Sequence, residues 1–372
     1  MKKLFSFAVL ALTFALAGCT KDPAISVDED VKMLYASAEG GVFTFTLNAN
    51  REWIAEILPG SNATVTVDPD LGVGPQEVTL TVAENLSANT LETTVRFTCG
   101  TAPALASVDV TIKQAGLTSV TWGGVDYRVK KMKDDNFWFV DNLRYIPEGL
   151  TPCKDLNNVT AGIYCPIAVN ATKTGAELTD NEDVIKANGY LYQAETALGL
   201  AVGSITTVEQ AVALEGAQGI CPPGWHLPTL TEIVNLVGKS VDATTKTDAP
   251  YYDGANGSIQ KLNEDGFNME SVGLVSINDN TKTTAALNCW NKNYPDKIFS
   301  SMFCGSTCAK ASTTYNTKDD PSSGIKNLLF YGFMPMTNKP TEAEYTCNGT
   351  KVAYKCAGPV RCIKTKLSGT PL

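Results

Sequence analysis

Residues 221–238 read CPPGWHLPTLTEIVNLVG, and the construction of this run decides how the second half of the chain folds. Thr229 and Glu232 stand three apart. At that spacing a threonine caps the third helical amide and a glutamate reaches back to the cap, so a helix is predicted from residue 230. Leu230, Ile233, Val234 and Val237 recur at i, i+3, i+4 and i+7, giving one apolar face, and Gly238 supplies the stop. Pro222, Pro223 and Pro228 lack amide hydrogens and hold the preceding segment extended. Trp225 becomes an apolar anchor on a rigid arm, and Cys221 is placed to tether that arm elsewhere. His226 is the only histidine of the chain, so a His-rich metal site or a His–His relay is impossible. A Cys–His or Ser–His dyad stays formally open. The position between Trp225 and Leu227 favours a structural, hydrogen-bonded histidine.

Around this run stand 372 residues, enough for two domains that each bury a core. Apolar residues make up 44% and charged residues 19%, the balance of a folded soluble chain. Net charge is −9 with no Lys/Arg cluster, which argues against a nucleic-acid partner, since that binding rests on neutralising phosphates. Anionic lipid surfaces are disfavoured for the same reason.

At the N-terminus Lys2 and Lys3 precede an apolar run from Leu4 to Ala17, too short to span a bilayer but right for a signal-peptide core. It ends in Leu16-Ala17-Gly18-Cys19, which resembles a bacterial lipobox. The resemblance implies a signal peptide at 1–18, lipidation of Cys19, and a lipid-anchored linker at 19–24. Several acyl chains on one residue anchor stably, and this anchor is the only membrane contact expected. Thr20-Lys21-Asp22 looks like the short signal that sends lipoproteins of Bacteroidota to the outer face of the outer membrane, so cell-surface display is the expected location.

Between residues 25 and 116, GVFTFTLNAN, ATVTVDPD, EVTLTVAEN, TTVRFTCG and SVDVTIKQAG each alternate apolar and polar residues as strands do. Gly40-Gly41, Asp68-Pro69-Asp70, Gly72, Gly74 and Asn85 punctuate them as turns. The ordered set of Gly-Gly, NANREW, GVGPQEVTLTV, NLS and VTIKQAG resembles a BACON domain, which implies an Ig-like β-sandwich over 25–116. The family name implies carbohydrate binding, yet a lone Trp53 in a small sandwich is better read as core. The domain is expected to be a spacer.

From residue 118 onward VTWGG and VDYRVKK read as a hairpin about Gly123-Gly124, followed by a strand in NFWFVDNLRY. Trp138 with Asn142-Leu143, Gly189-Tyr190-Leu191-Tyr192, Cys221 to Pro228, and Val360-Arg361-Cys362 succeed one another as in a FISUMP domain, first noted in Fibrobacter. The resemblance spans 118–366, with a tail at 367–372, and departs where a Trp-Ser-Ser element reads Phe299-Ser300-Ser301 and where 289–356 carries extra cysteines. That family is similar to C-type-lectin-like domains. The fold class expected for the whole chain is therefore an all-β Ig-like sandwich followed by an α+β C-type-lectin-like domain stapled by disulfides. The resemblance also implies a Cys221–Cys362 disulfide.

Besides Cys19 the chain has Cys99, Cys153, Cys165, Cys221, Cys289, Cys304, Cys308, Cys347, Cys356 and Cys362, and in an exported chain disulfides come before metal. Cys347 and Cys356 flank NGTKVAYK, read as a hairpin that their bond staples, and Cys153 and Cys165 are expected to pair likewise. Nine cysteines follow residue 118, so either Cys99 crosses to the second domain or thiols stay free. Cys304-Gly-Ser-Thr-Cys308 has one residue too many for a thioredoxin-like pair, and with Cys289 nearby a zinc site is the lesser alternative.

The acidic-amide-proline chelate of calcium lectins is absent from the sequence. Asn291, Asn293 and Asp296 offer oxygen ligands at a spacing that reads as a polar loop. No cofactor, metal or catalytic residue is called for. The function expected is non-enzymatic binding of a glycan or a surface protein, with Trp290, Asn291, Tyr294 and Tyr315 as the ligand-contacting residues in loops between framework elements. The alternatives are a structural component of the envelope and a thiol-dependent enzyme on a lectin-like fold.

Overall fold

The computed structural model describes residues 21–237, 262–277, 284–287, 298, 303–308, 329–337, 345–353 and 356–364. They divide into two compact units, one holding residues up to Asn85 with Asn89–Gly116, the other Leu86–Ala88 with everything from Leu117 on. No helix among the described residues is long and apolar enough to cross a membrane.

The first unit is two sheets around one core. Ile25–Ser26, Gly41–Ala49, Gln76–Val82 and Val65–Asp68 form one sheet. Met33–Ala36, Ala104–Gln114, Leu91–Thr101, Glu52–Ile57 and Leu71–Val73 form the other. The alternation read in the sequence is the reason: Phe45, Leu47 and Ala49 turn inward while Thr44, Thr46 and Asn48 face water. From the opposite sheet Val95, Phe97, Val110 and Ile112 meet them. Phe97 packs edge-on against Phe45 at 6.0 Å and against Trp53 at 5.9 Å between ring centroids. Trp53 is thus core, with its indole N–H donating to Gly74 O at 3.1 Å. Buried Gln114 ties the two sheets by donating from Nε2 to Ala83 O at 2.7 Å.

Among the described residues, the second unit is a set of short sheets with short helices. The hairpin Ser119–Trp122/Val125–Lys131 turns at Gly123-Gly124, both at positive φ, as a two-residue hairpin loop requires. It continues through Phe137–Phe139, against which the last strand, Ile363–Lys364, is laid antiparallel. Residues 363–364 therefore close the sheet that residues 119–131 open. A second sheet orders Ile163–Tyr164, Leu191–Gln193, Ala357–Gly358, Val275–Ser276 and Ala286–Leu287. A third orders Phe303–Cys308, Leu329–Thr337 and Tyr345–Ala353. Leu230–Val237 is the helix read from the opening stretch. Its Ile233 and Leu236 are buried with Trp138, Phe267 and Phe303, while Leu230 is half-buried.

Candidate functional site

The arm before that helix is fixed at three points. Cys221 is disulfide-bonded to Cys362, the bond implied by resemblance. His226 and Ile363 exchange both backbone hydrogen bonds at 3.0 Å, so the arm runs antiparallel to the last strand. Trp225 is buried edge-on to Phe139, 4.9 Å between centroids, with the Lys364 ammonium 5.8 Å from its ring centre. His226 Nε2 lies 2.8 Å from Glu232 Oε1. Glu232 Oε2 accepts from Thr229 N at 2.8 Å, and Thr229 Oγ1 accepts from Glu232 N at 3.3 Å, completing the cap. The histidine braces the helix start.

Around the disulfide the other motif segments lock together. Phe139 N donates to Cys362 O at 2.9 Å, Leu143 N to Val360 O at 2.9 Å, and Tyr190 N to Leu143 O at 3.1 Å. Gly189 has φ +71°, and a Cβ there would meet Asn142 Cβ and Leu143 O at 2.7 Å, so the segments pass too closely for any other residue. Arg361 is 2% exposed. Its Nε donates to Asn142 Oδ1 at 2.8 Å, one terminal nitrogen to Asn268 O at 2.6 Å, and the other to Phe267 O. Its guanidinium also lies over the rings of Phe267 and Phe303, 4.7 and 5.1 Å from their centres. Burial pushes this guanidinium down to about 9, opposed by the charge of Asp141, and it remains a cation at neutral pH. Trp138 donates from its indole to Asp134 Oδ2 at 2.9 Å, and burial raises that carboxyl above its ordinary value.

A family model for the Fibrobacter succinogenes major domain matches residues 134–364, more than half of the chain. The chain belongs to the Fibrobacter succinogenes major domain family. Its resemblance-bearing segments are the ones locked together at the disulfide, and in this major domain their polar groups face one another. No curated protein matches the chain. Among solved structures, a Bacteroides ovatus GH5 xyloglucanase in complex with a XXXG heptasaccharide is 14% identical at a TM-score of 0.21, covering 47% of this chain and 34% of that one. The chain thus spans about a third of that enzyme's length. WR4, a C. elegans MSP family member, is 14% identical at 0.19, covering 25% of this chain and 96% of its own. The ASH/PapD-like domain of human CEP192 is 10% identical at 0.20, covering 29% and 97%.

Two cysteine pairings expected in the major domain are not formed. Cys153 and Cys165 are both thiols. Cys153 is bridged in parallel to Tyr164, so its side chain shares that residue's face and Cys165, the next residue, turns to the other. Cys356 is a buried thiol as well. The expected hairpin after Cys347 is instead one strand, Tyr345–Ala353. Cys347 stands six residues from its end, about 20 Å away at strand rise, and three further residues return at most about 11 Å. That leaves the pair beyond disulfide reach. Cys99 stays within the first unit's core, its Sγ 3.7 Å from Asn50 Oδ1. Burial pushes the Cys304 thiol up to about 12, a state that makes a poor nucleophile.

Cys19, Cys289, Trp290, Asn291, Tyr294 and Tyr315 lie outside the described residues, as does the side chain of Cys347. Among the described residues no group of three His, Cys, Asp or Glu side chains is placed to hold a metal ion. Two features escaped sequence reasoning: the buried Arg361 cation, and a half-exposed pair of rings, Trp122 and Tyr145, packed at the hairpin turn. The signal for the first was an arginine set between the apolar residues Val360 and Cys362.

Proposed function

We propose that the protein is a surface-anchored lipoprotein whose second unit binds an extracellular ligand, a glycan or a surface protein, without transforming it. The observation that carries this reading is the internal use of the motif residues. Arg361 is bonded to Asn142, Phe267 and Asn268, His226 to Glu232, and Trp138 to Asp134. Residues committed in this way build a scaffold, and recognition falls to the loops the scaffold holds. In the finer form of the proposal, the two-sheet unit is a BACON-type, Ig-like spacer. The second unit is then a C-type-lectin-like head, supported by a disulfide from a helix arm to the last strand. Fold analogy alone links that head to sugars. Binding is proposed to be independent of calcium and to use Trp290, Asn291, Tyr294 and Tyr315. The test is a glycan and surface-protein panel probed with the mature chain carrying Cys19→Ser. Binding that survives EDTA and weakens on Trp290→Ala supports the reading, and an empty panel removes it.

One observation favours a second reading, assembly into the envelope. Ile54 (58% exposed) lies opposite Leu71 (62%), and Val73 (70%) lies opposite Glu52 at the edge of the five-stranded sheet. Exposed apolar side chains grouped on a sheet edge suit a protein contact. Under that reading Val73→Lys lowers the size of the native membrane complex on gels and leaves panel binding unchanged.

A further inference from the structure

We propose that the Ser119–Lys131 hairpin and the Arg144-Tyr145 segment beside it form a recognition site for an acidic sugar, a hexuronate unit of a polysaccharide. The inference rests on the glycan-binding reading above and adds a site apart from Trp290.

The hairpin register pairs Val120 with Tyr127 and Trp122 with Val125, so the side chains of Trp122 and Tyr127 occupy one face. On that face two successive residues of the next segment come to rest. Tyr145 lies over Trp122, 4.9 Å between centroids and tilted by 33°, and both rings are half-exposed. Gly123, at φ +56°, lets the turn lie flush with Tyr145, since a Cβ there would stand 2.6 Å from the tyrosine ring. The indole N–H of Trp122 is committed to Ile220 O at 2.9 Å, which with Tyr145 fixes the ring plane of this half-exposed side chain. Arg144 lies over Tyr127, 5.4 Å from the ring centre, with its backbone N–H donating to the Tyr127 hydroxyl at 2.9 Å.

The charge of Arg144 is not matched in the way those of three other arginines are. Arg96 meets Asp109, Arg128 meets Asp141, and Arg361 is fully bonded. Among the described residues no carboxylate forms an ion pair with Arg144. One terminal nitrogen makes a solvent-facing 3.3 Å bond to Asp126 O, and Nε is buried without a partner. A ring platform beside a planar cation short of an anion matches a sugar with an apolar C–H face and a carboxylate. A neutral sugar satisfies only the platform.

The test is calorimetric titration of the mature Cys19→Ser chain with tetragalacturonate and with its methyl ester as the neutral counterpart. The acid is expected to bind at least ten-fold more tightly than the ester. Arg144→Gln should remove that preference, and Tyr145→Ala should weaken both ligands. If Arg144→Gln does not fold, rising salt reads the same contact, because only the acid's affinity should fall. Equal affinity for acid and ester, or acid binding unchanged in folded Arg144→Gln, overturns the site. If other glycans bind and ignore both substitutions, the head recognises sugars elsewhere; if no glycan binds, the underlying reading fails with it.

Discussion

Arg361 satisfies carbonyl and amide oxygens contributed by residues 93, 94 and 219 positions away, which is why one arginine can hold several segments at once. Replacing it with Met fills the volume but strands two buried acceptors, Asn142 Oδ1 and Phe267 O, and the partly buried Asn268 O. A loss of about 3 kcal/mol in denaturant titration is expected, with the midpoint falling and the slope unchanged. Asp141 gives the pH counterpart. Burial works to raise its carboxyl, but hydrogen bonds from Arg128, at 2.5 and 2.8 Å, win and hold it below 3.8. A carboxyl lowered in the fold adds stability above its ordinary value and loses it as pH falls through the folded-state value. Arg128 is mostly exposed, so the pair is worth about 1 kcal/mol. Thermal midpoints of the native chain and Arg128→Gln should differ near pH 6 and converge as the pH falls below 3.8.

The helix Leu230–Val237 shows what is legible along a sequence and what is not. Its start was readable because a cap is a local device: Thr229 and Glu232 are three residues apart and bond to each other. Thr229→Ala should cost about 1 kcal/mol. Glu232→Ala should cost more, since it also removes the Glu232 contact to His226 Nε2, and equal losses by chemical denaturation would contradict that bracing role. The strands of the first unit were readable for the same reason, their period of two being written in adjacent residues. The cysteine pairings read from spacing were not. Cys153 and Cys165 are close in sequence, yet the register against Tyr164 sends them to opposite faces, and register is set by distant partners. The Trp122–Tyr145 pair joins residues from separate segments and leaves no periodic trace.

At the scale of the whole molecule, the anchor and the framework carry separate predictions. Cys19→Ser should abolish labelling by a fatty-acid analogue and release the chain from membranes, and continued labelling would contradict the anchor. The framework claim is that the family's motif segments form one scaffold closed by Cys221–Cys362. Closing a loop of 141 residues contributes about 5 kcal/mol by chain entropy. Peptide mapping of the native chain, alkylated before digestion without reductant, tests this most directly. The account predicts a cross-linked Cys221–Cys362 peptide, with Cys153, Cys165, Cys304 and Cys356 recovered alkylated once the chain is unfolded in the alkylating buffer. Recovery of Cys221 or Cys362 as an alkylated thiol, or of a Cys153–Cys165 cross-link, would contradict it.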